Sequence, residues 1–369
     1  MQNSQTGSWV VSYFRLPAAG RYKFVFRRFM ILVTGGTGLI GSHLLHVLVQ
    51  QGGKVRALRR KESNLDEVRK IFSYYSPNAN ELFRKIEWVE GDMMDVSSLE
   101  DAMEGITHIY HCAAIVSLNP KHGKKMIRNN VTGTANMVNA AIVKKILKFC
   151  HVSSVAGLGI LKDGKEITEE THWNEQTNFS AYAISKYLSE NEVWRASQEG
   201  LNVVIVNPSV VIGPGNWRRS SGDIFIGANK GLRWYTSGGI GYVDVRDVVK
   251  SMTNLMESDI NNERFIVSSE NHSYKTFFGL VNASIKKPLP NKKAGKLILE
   301  IVWRFDKLRS MLTGSRHVLT KEIAKYSQIN LSYSNLKIKK ILQFDFIPVE
   351  QSIKDTSIHF IADYKIHSK

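Results

Sequence analysis

Two hydrophobic rhythms alternate along the first part of the chain. Short apolar runs at Ile31–Thr34, Lys54–Leu58, Ile86–Glu90, His108–Ala113, Lys148–Ser153 and Val203–Asn207 read as strands. Between them, helical spacing predicts helices over Ser42–Gln51, Asn64–Tyr75, Ser97–Met103, Met126–Lys145 and Tyr182–Glu199. In the first of these, Leu44, Leu45 and Leu48 set the apolar face, Val47 and Val49 widen it, and Gly52-Gly53 ends it. Strands alternating with helices predict right-handed crossovers and a parallel sheet covered on both faces. After Pro208 the rhythm is lost, and Gly213–Gly222 and Ser284–Gly295 are rich in Gly, Pro, Ser, Asn and Lys. That part reads as a smaller lobe of loops and helices closing over the sheet.

The first strand runs into a glycine-rich turn, ILVTGGTGLIGSHL, and then a helix. This is the arrangement of a dinucleotide site: one Gly allows the tight turn, one lets backbone approach pyrophosphate, and one lets helix and strand pack closely. Unpaired N–H groups at the helix N-terminus face the phosphates. Gly35, Gly38, Leu39, Ile40 and Gly41 are the expected cofactor contacts. The expected fold class is therefore α/β, a Rossmann-type doubly wound parallel sheet with a smaller C-terminal substrate lobe. Residues 30–207 form the dinucleotide-binding domain and 208–369 the substrate lobe, with about 241–250 returning to the core. The second strand ends in VRALRRKES, where an NAD site usually carries an acidic residue. Arg59 and Arg60 suit a 2′-phosphate instead, so NADP is the expected cofactor and NAD the alternative.

Ser180–Glu190 reads SAYAISKYLSE. Tyr182 and Lys186 lie four residues apart and share a helical face. An ammonium beside a phenol lowers the phenol pKa, which suits Tyr182 to general acid/base work. HVSSVAGLG spans the end of the fifth strand, and ligands of doubly wound sheets bind at carboxyl ends of strands. Ser154 is the expected partner of the substrate oxygen, with Ser153 its competitor.

TGGTGLIG, GDMMD, HCAA, NNVTGT, VSS, YAISK, NPSVVIGPG and GYVDVRDVV follow in order. Together they resemble the extended short-chain dehydrogenase/reductase family, in its NAD-dependent epimerase/dehydratase group, over about 30–360. The resemblance implies adenine contacts at Asp92 and Met93, a cofactor cleft lined by Ala113 and Ala114, and Asn130 near the nicotinamide half. It implies Ser154, Tyr182, Lys186 and Asn130 as the catalytic set, with Lys186 also holding the nicotinamide ribose and Pro208 and Ser209 bordering the carboxamide. Asp244, Arg246 and Asp247 would fix the junction of the lobes. Val155 and Ala156 stand where the family's dehydratases carry an Asp-Glu pair. The segment VRALRR and the motif NPSVVIGP are similar to those of dihydroflavonol reductases and 3β-hydroxysteroid dehydrogenases. The expected activity is an NADP-preferring carbonyl reductase or alcohol dehydrogenase. The alternatives are an NAD-dependent sugar-nucleotide epimerase and a non-catalytic cofactor-binding scaffold. A homodimer through two helices is a further implication of the resemblance.

Composition narrows the picture further. Two cysteines, Cys112 and Cys150, cannot build a disulfide framework and favour a reducing compartment, so a cytoplasmic protein is expected. The net charge of +17 is scattered without an aromatic–basic pattern, and nucleic acid is not an expected partner. The expected partner is a small carbonyl or alcohol. Residues 1–29 lack acidic side chains and read as an extension outside the fold, with Met30 abutting the first strand. His108, His111 and His151 lie in or beside strands without metal-ligand spacing, so no metal site is expected. KLILEIVWRFDKLRSML at 296–312 is apolar and basic by turns. Such a helix can lie on a membrane, but packing on its own domain is the expectation, and membrane contact is not. Trp217, Arg218 and Arg219 are expected to serve packing or surface roles.

Overall fold

The computed structural model describes residues 29–366, apart from 118, 162–164, 175–178, 220 and 314–318. The extension expected over 1–29 lies outside the described residues except for Phe29, whose ring centroid sits 4.0 Å from that of His108. In chain order the strands are β1 (Met30–Thr34), β2 (Lys54–Arg59), β3 (Ile86–Glu90), β4 (His108–His111), β5 (Lys148–Val152) and β6 (Val203–Pro208). Then come β7 (Val210–Ile212), β8 (Trp234–Tyr235), β9 (Gly239–Asp244), β10 (Glu263–Val267), β11 (Glu270–Ser273) and β12 (Lys292–Lys293). The main sheet has seven parallel strands in the order β3-β2-β1-β4-β5-β6-β10. It is a Rossmann-type doubly wound α/β sheet.

The period of two explains why continuous apolar runs become strands. Ile31 and Val33, with Val204 and Val206, face one core with Leu44 and Leu48 of the first helix. Leu32, Val203 and Ile205 face the other, with Val138, Val193 and Ala196 of the Gly123–Val143 and Ala181–Gln198 helices. A residue slip would exchange the two sets, so both faces being buried pins the register. Burying each such side chain is worth about 1.5–3 kcal/mol.

The sheet extends past the expected domain end at 207. Strand β10 pairs with β6, and Val248, Val249, Met252 and Leu255 of the Val245–Glu257 helix pack in the first core. The segment around 241–250 therefore divides at Asp244, which caps that helix by accepting from the Arg246 N–H at 2.7 Å. Its strand half, β9, joins β7 and β11 in a separate three-stranded sheet. There Ile212, Phe225, Tyr242, Phe277, Ile353 and Phe360 build the core of the smaller lobe. Arg246 joins the lobes by pairing with both Asp244 and Asp355 at 2.7 Å, and Asp247 accepts from the Ile347 N–H at 2.7 Å. Trp217 packs against Phe360 and donates to Asp363 at 2.7 Å, a packing role.

Candidate active site

Strand order reverses between β1 and β4, so the carboxyl ends of these strands diverge and leave a crevice. The glycine turn sits there. Gly35 has φ 69°, and a Cβ on it would meet the Ala113 nitrogen at 2.6 Å. A Cβ on Gly41 would meet the Gly35 carbonyl oxygen at 2.2 Å. Gly38 precedes the Leu39–Gln50 helix and provides no side-chain cap. Its own N–H donates to the Gly35 carbonyl at 2.9 Å, which closes the turn. The first-turn N–H groups at Leu39, Ile40 and Gly41 are thus left without a side-chain acceptor, as an anion-binding helix end requires. Ala113 also donates its N–H to the Thr34 hydroxyl at 3.3 Å, and Ala114 follows it along the same half-buried edge.

The basic end of β2 is less simple than its sequence. Arg59 pairs with Glu90, at the end of neighbouring β3, at 2.6 Å. It also donates to the Lys61 carbonyl at 3.4 Å. Arg60 and Lys61 are exposed. Asp92 accepts from the Met94 N–H at 2.8 Å and so holds its own turn. Met93 covers Gly133, where a Cβ would meet the Met93 Cε at 2.7 Å, and Asn136 donates to the Met93 carbonyl at 2.9 Å. On the far side, Pro208 ends β6, and buried Ser209 donates its N–H to the Val267 carbonyl at 3.1 Å.

Ser154, Tyr182 and Lys186 come together at the end of β5. Ser154 caps a short turn by accepting from the Ala156 N–H at 3.1 Å, and its side chain lies beside the Tyr182 phenol, whose ionised form it favours. Ser153 points inward instead, and its buried hydroxyl has no partner. Ser180 caps the helix by accepting from the Ala183 N–H at 3.2 Å, which sets Tyr182 in the first turn. Lys186, one turn on, is buried and donates to the Val152 carbonyl at 2.8 Å. Burial pulls its ammonium down to about 8. Burial also raises the Tyr182 phenol above its ordinary 10, and the neighbouring Ser154 side chain only partly opposes this. The expected lowering of the phenol by Lys186 is therefore corrected: the ammonium is held at the Val152 carbonyl and desolvation dominates the phenol.

Asn130 belongs to the scaffold of the site. Its amide accepts from the Ile115 N–H at 2.8 Å and donates to the Ile115 carbonyl at 2.9 Å and to Ser185 at 3.2 Å. Ser185 donates to the Tyr182 carbonyl at 2.8 Å. Asn130 thus ties the loop after β4 to the helix that carries Tyr182.

A buried polar chain not apparent from the sequence runs beneath these residues. Asn207 donates to the Ser154 carbonyl at 3.1 Å and to Glu190 at 2.9 Å. Glu190, a turn beyond Lys186, pairs with Arg264 at 3.1 Å. Glu169 accepts from the Ile266 N–H at 2.8 Å, and its carbonyl accepts from Arg264. The signal was present in Y-x-x-x-K-x-x-x-E, whose Glu shares the Tyr-Lys helical face, but its partners come from β6 and β10. Nearby, His111 bridges Thr34 at 2.8 Å and Thr134 at 3.3 Å, and burial lowers it to about 3. Among the described residues, no group of His, Cys, Asp and Glu is placed to hold a metal.

The model of the NAD dependent epimerase/dehydratase family matches residues 31–267. The chain belongs to that family. A putative dihydroflavonol 4-reductase of Synechocystis is 30% identical over 343 residues, which is 90% of this chain and 94% of that protein. Among solved structures, that of gox2253 is 28% identical with a TM-score of 0.76, covering 90% of this chain and 98% of that one. A UDP-glucose 4-epimerase of Thermotoga maritima shares the fold at 21% identity and a TM-score of 0.68, covering 91% of this chain and 99% of that one. The epimerase/dehydratase membership fits the site. The cradle is one that a Cβ at Gly35 or Gly41 would fill, and the uncapped helix end suits the phosphates of a nicotinamide dinucleotide.

Proposed function

We propose that the protein is an NADP-preferring carbonyl reductase or alcohol dehydrogenase acting on a small aldehyde, ketone or alcohol. The observation that carries this reading is the Ser154–Tyr182 hydroxyl pair at the end of β5, with Lys186 buried one turn behind it. A nicotinamide dinucleotide, when bound, supplies or accepts the hydride. Gly35, Gly38, Leu39, Ile40 and Gly41 would hold its pyrophosphate, with Ala113, Ala114, Pro208 and Ser209 along the cleft. Ser154 orients the substrate oxygen. Tyr182 gives its proton to that oxygen in reduction and takes it back in oxidation. Its raised pKa keeps it protonated at neutral pH, which suits the reductive direction. Val155 and Ala156 after Ser154 offer no acid–base pair for dehydration. The likeness to the Synechocystis protein, named a putative dihydroflavonol 4-reductase, supports the reductase reading.

A second reading, an NAD-dependent sugar-nucleotide epimerase, draws on one observation. Glu90 neutralises Arg59 and places a carboxylate near the ribose end of the cleft. The test is cofactor titration followed by an aldehyde and ketone panel. The reductase reading expects an emptied site that prefers NADPH, turnover of a carbonyl, and loss of turnover in Tyr182→Phe with cofactor binding kept. Tightly retained NAD and turnover of a nucleotide sugar alone would establish the second reading instead.

A further inference from the structure

The Lys296–Thr313 helix is amphipathic the wrong way round for a helix covering a core. Its buried residues are Leu299, Asp306 and Ser310, of which two are polar. This narrow face rests on Ala294, Ala324 and Leu319, and Asp306 accepts from the Leu319 N–H at 3.1 Å. The outward face is the apolar one. Leu297, Ile301, Leu308 and Leu312 recur at helical spacing, with Phe305 and Met311 beside them. Leu297 is 80% exposed, Phe305 68% and Leu312 78%. Of the 20 large apolar side chains exposed among the described residues, eight lie in this 18-residue helix, and the remaining ones are scattered. Exposed apolar side chains clustered on one helix face, unlike ones scattered singly, mark an interaction surface.

Charge indicates what covers it. Lys296 and Lys307 lie exposed along one flank of the apolar face, where exposed Arg304 pairs with Glu300 at 2.5 Å. Arg309 borders the other flank and pairs with Asp306. Exposed Lys292 and Lys293 precede the helix. Cations at the edges of an apolar stripe can keep their stems over the apolar surface while their heads reach anionic groups. A second copy seated face to face with its helix antiparallel would bring this basic flank against its own image, on a chain that already carries +17. No helix among the described residues is long and apolar enough to cross a membrane. We infer that the outward face of the Lys296–Thr313 helix docks the protein onto an anionic lipid surface, with its apolar side chains in the interface and Lys296 and Lys307 at the headgroups.

Flotation of the full chain with vesicles tests this. Equimolar phosphatidylglycerol and phosphatidylcholine should carry the protein upward, pure phosphatidylcholine should carry far less, and added salt should weaken the anionic case. Phe305→Glu/Leu308→Glu should lower partitioning by more than about ten-fold, since two large side chains leave the lipid, while NADPH binding stays as in the parent. Lys296→Glu/Lys307→Glu should abolish the preference for anionic vesicles. Phe305→Trp preserves the apolar face, and its emission, taken as a difference from the parent, should shift blue on anionic vesicles. The inference is overturned if the parent chain stays with the soluble fraction. It is equally overturned if the Phe305→Glu/Leu308→Glu protein floats as before, or if the difference emission of the Phe305→Trp protein does not move. A dimer that the double glutamate substitution dissolves, in a protein that ignores vesicles, would assign the face to a second copy and also overturn it.

Discussion

The Lys186 ammonium donates to the carbonyl oxygen of Val152 at 2.8 Å, two residues before Ser154 on the same strand end. This contact fixes where the charge sits, and burial lowers the group to about 8. The charged form is therefore full below pH 8 and lost above it, whereas Tyr182 stays protonated well beyond. The kcat/KM for carbonyl reduction should fall as pH rises through about 8. A rate profile flat from pH 7 to 10 would count against a catalytic charge on Lys186.

The same shift carries a stability cost with a defined sign. Unfolded, the side chain titrates near its ordinary value of about 10.4. Between about 8 and 10 the unfolded chain holds the extra proton, so stability rises with pH through that window. At pH 7 the folded protein bears the full penalty of a buried charge. Lys186→Met should thus be inactive yet more stable than the parent at pH 7, on the order of 2 kcal/mol once the lost Val152 hydrogen bond is deducted. Urea unfolding at pH 7 and pH 10 measures this, and the gain should shrink at the higher pH.

Asn207 supplies a separate prediction. It is fully buried, and its amide serves both the Ser154 carbonyl and Glu190. Asn207→Ala leaves both acceptors short of a donor in a dry place, which costs about 1–3 kcal/mol. The backbone under Ser154 then loses its tie. The expected result is a lower midpoint of urea unfolding and a fall in kcat, with the dissociation constant for NADPH little changed.

These residues also show what could be read from the chain. Tyr182 and Lys186 were legible because helical spacing alone puts them on one face. The place of Ser154 was legible because parallel sheets place ligands at strand ends, and the structure sets it beside Tyr182 while Ser153 turns inward. The six strands to Asn207 were legible from continuous apolar runs. Strand β10 was not: ERFIV follows an irregular stretch, and its place beside β6 depends on a long connection. The Glu190–Asn207–Arg264 chain was hidden for the same reason, since 74 residues separate Arg264 from Glu190. The phenol's pKa was misread because helical spacing shows that a lysine is near but not which acceptor holds it. The outward face of the Lys296–Thr313 helix could not be read either, because periodicity gives an apolar stripe without saying which side meets the domain.

Two glycines of the turn should separate packing from ligand contact. A Cβ on Gly41 would meet the Gly35 carbonyl oxygen at 2.2 Å, so Gly41→Ala must force the turn open. A Cβ on Gly38 has its nearest neighbour at 3.3 Å and points to an exposed edge. Gly41→Ala should lower both thermal stability and NADPH affinity, with a stability loss of about 1–3 kcal/mol as for other overpacked sites. Gly38→Ala should largely keep stability and weaken NADPH binding alone. Equal thermal shifts in the two variants would count against this division.

The last prediction concerns which arginine selects the cofactor. Both stand at the end of β2, but Arg59 is half-buried and spends its charge on Glu90 at 2.6 Å, while Arg60 is exposed and faces solvent. A 2′-phosphate needs a cation not already neutralised, and a carboxylate in its place repels it. Arg60→Asp should therefore reduce NADPH affinity strongly, by about ten-fold or more, and leave NADH affinity unchanged or higher. Arg59→Ala should do less to the cofactor and more to the fold, because it leaves Glu90 without its partner at the sheet edge. Glu90→Gln frees Arg59 and should raise NADPH affinity. Titrating both cofactors into the three variants decides the matter: a larger NADPH loss in Arg59→Ala than in Arg60→Asp would assign the phosphate to Arg59 and mean that the Glu90 pair opens on binding.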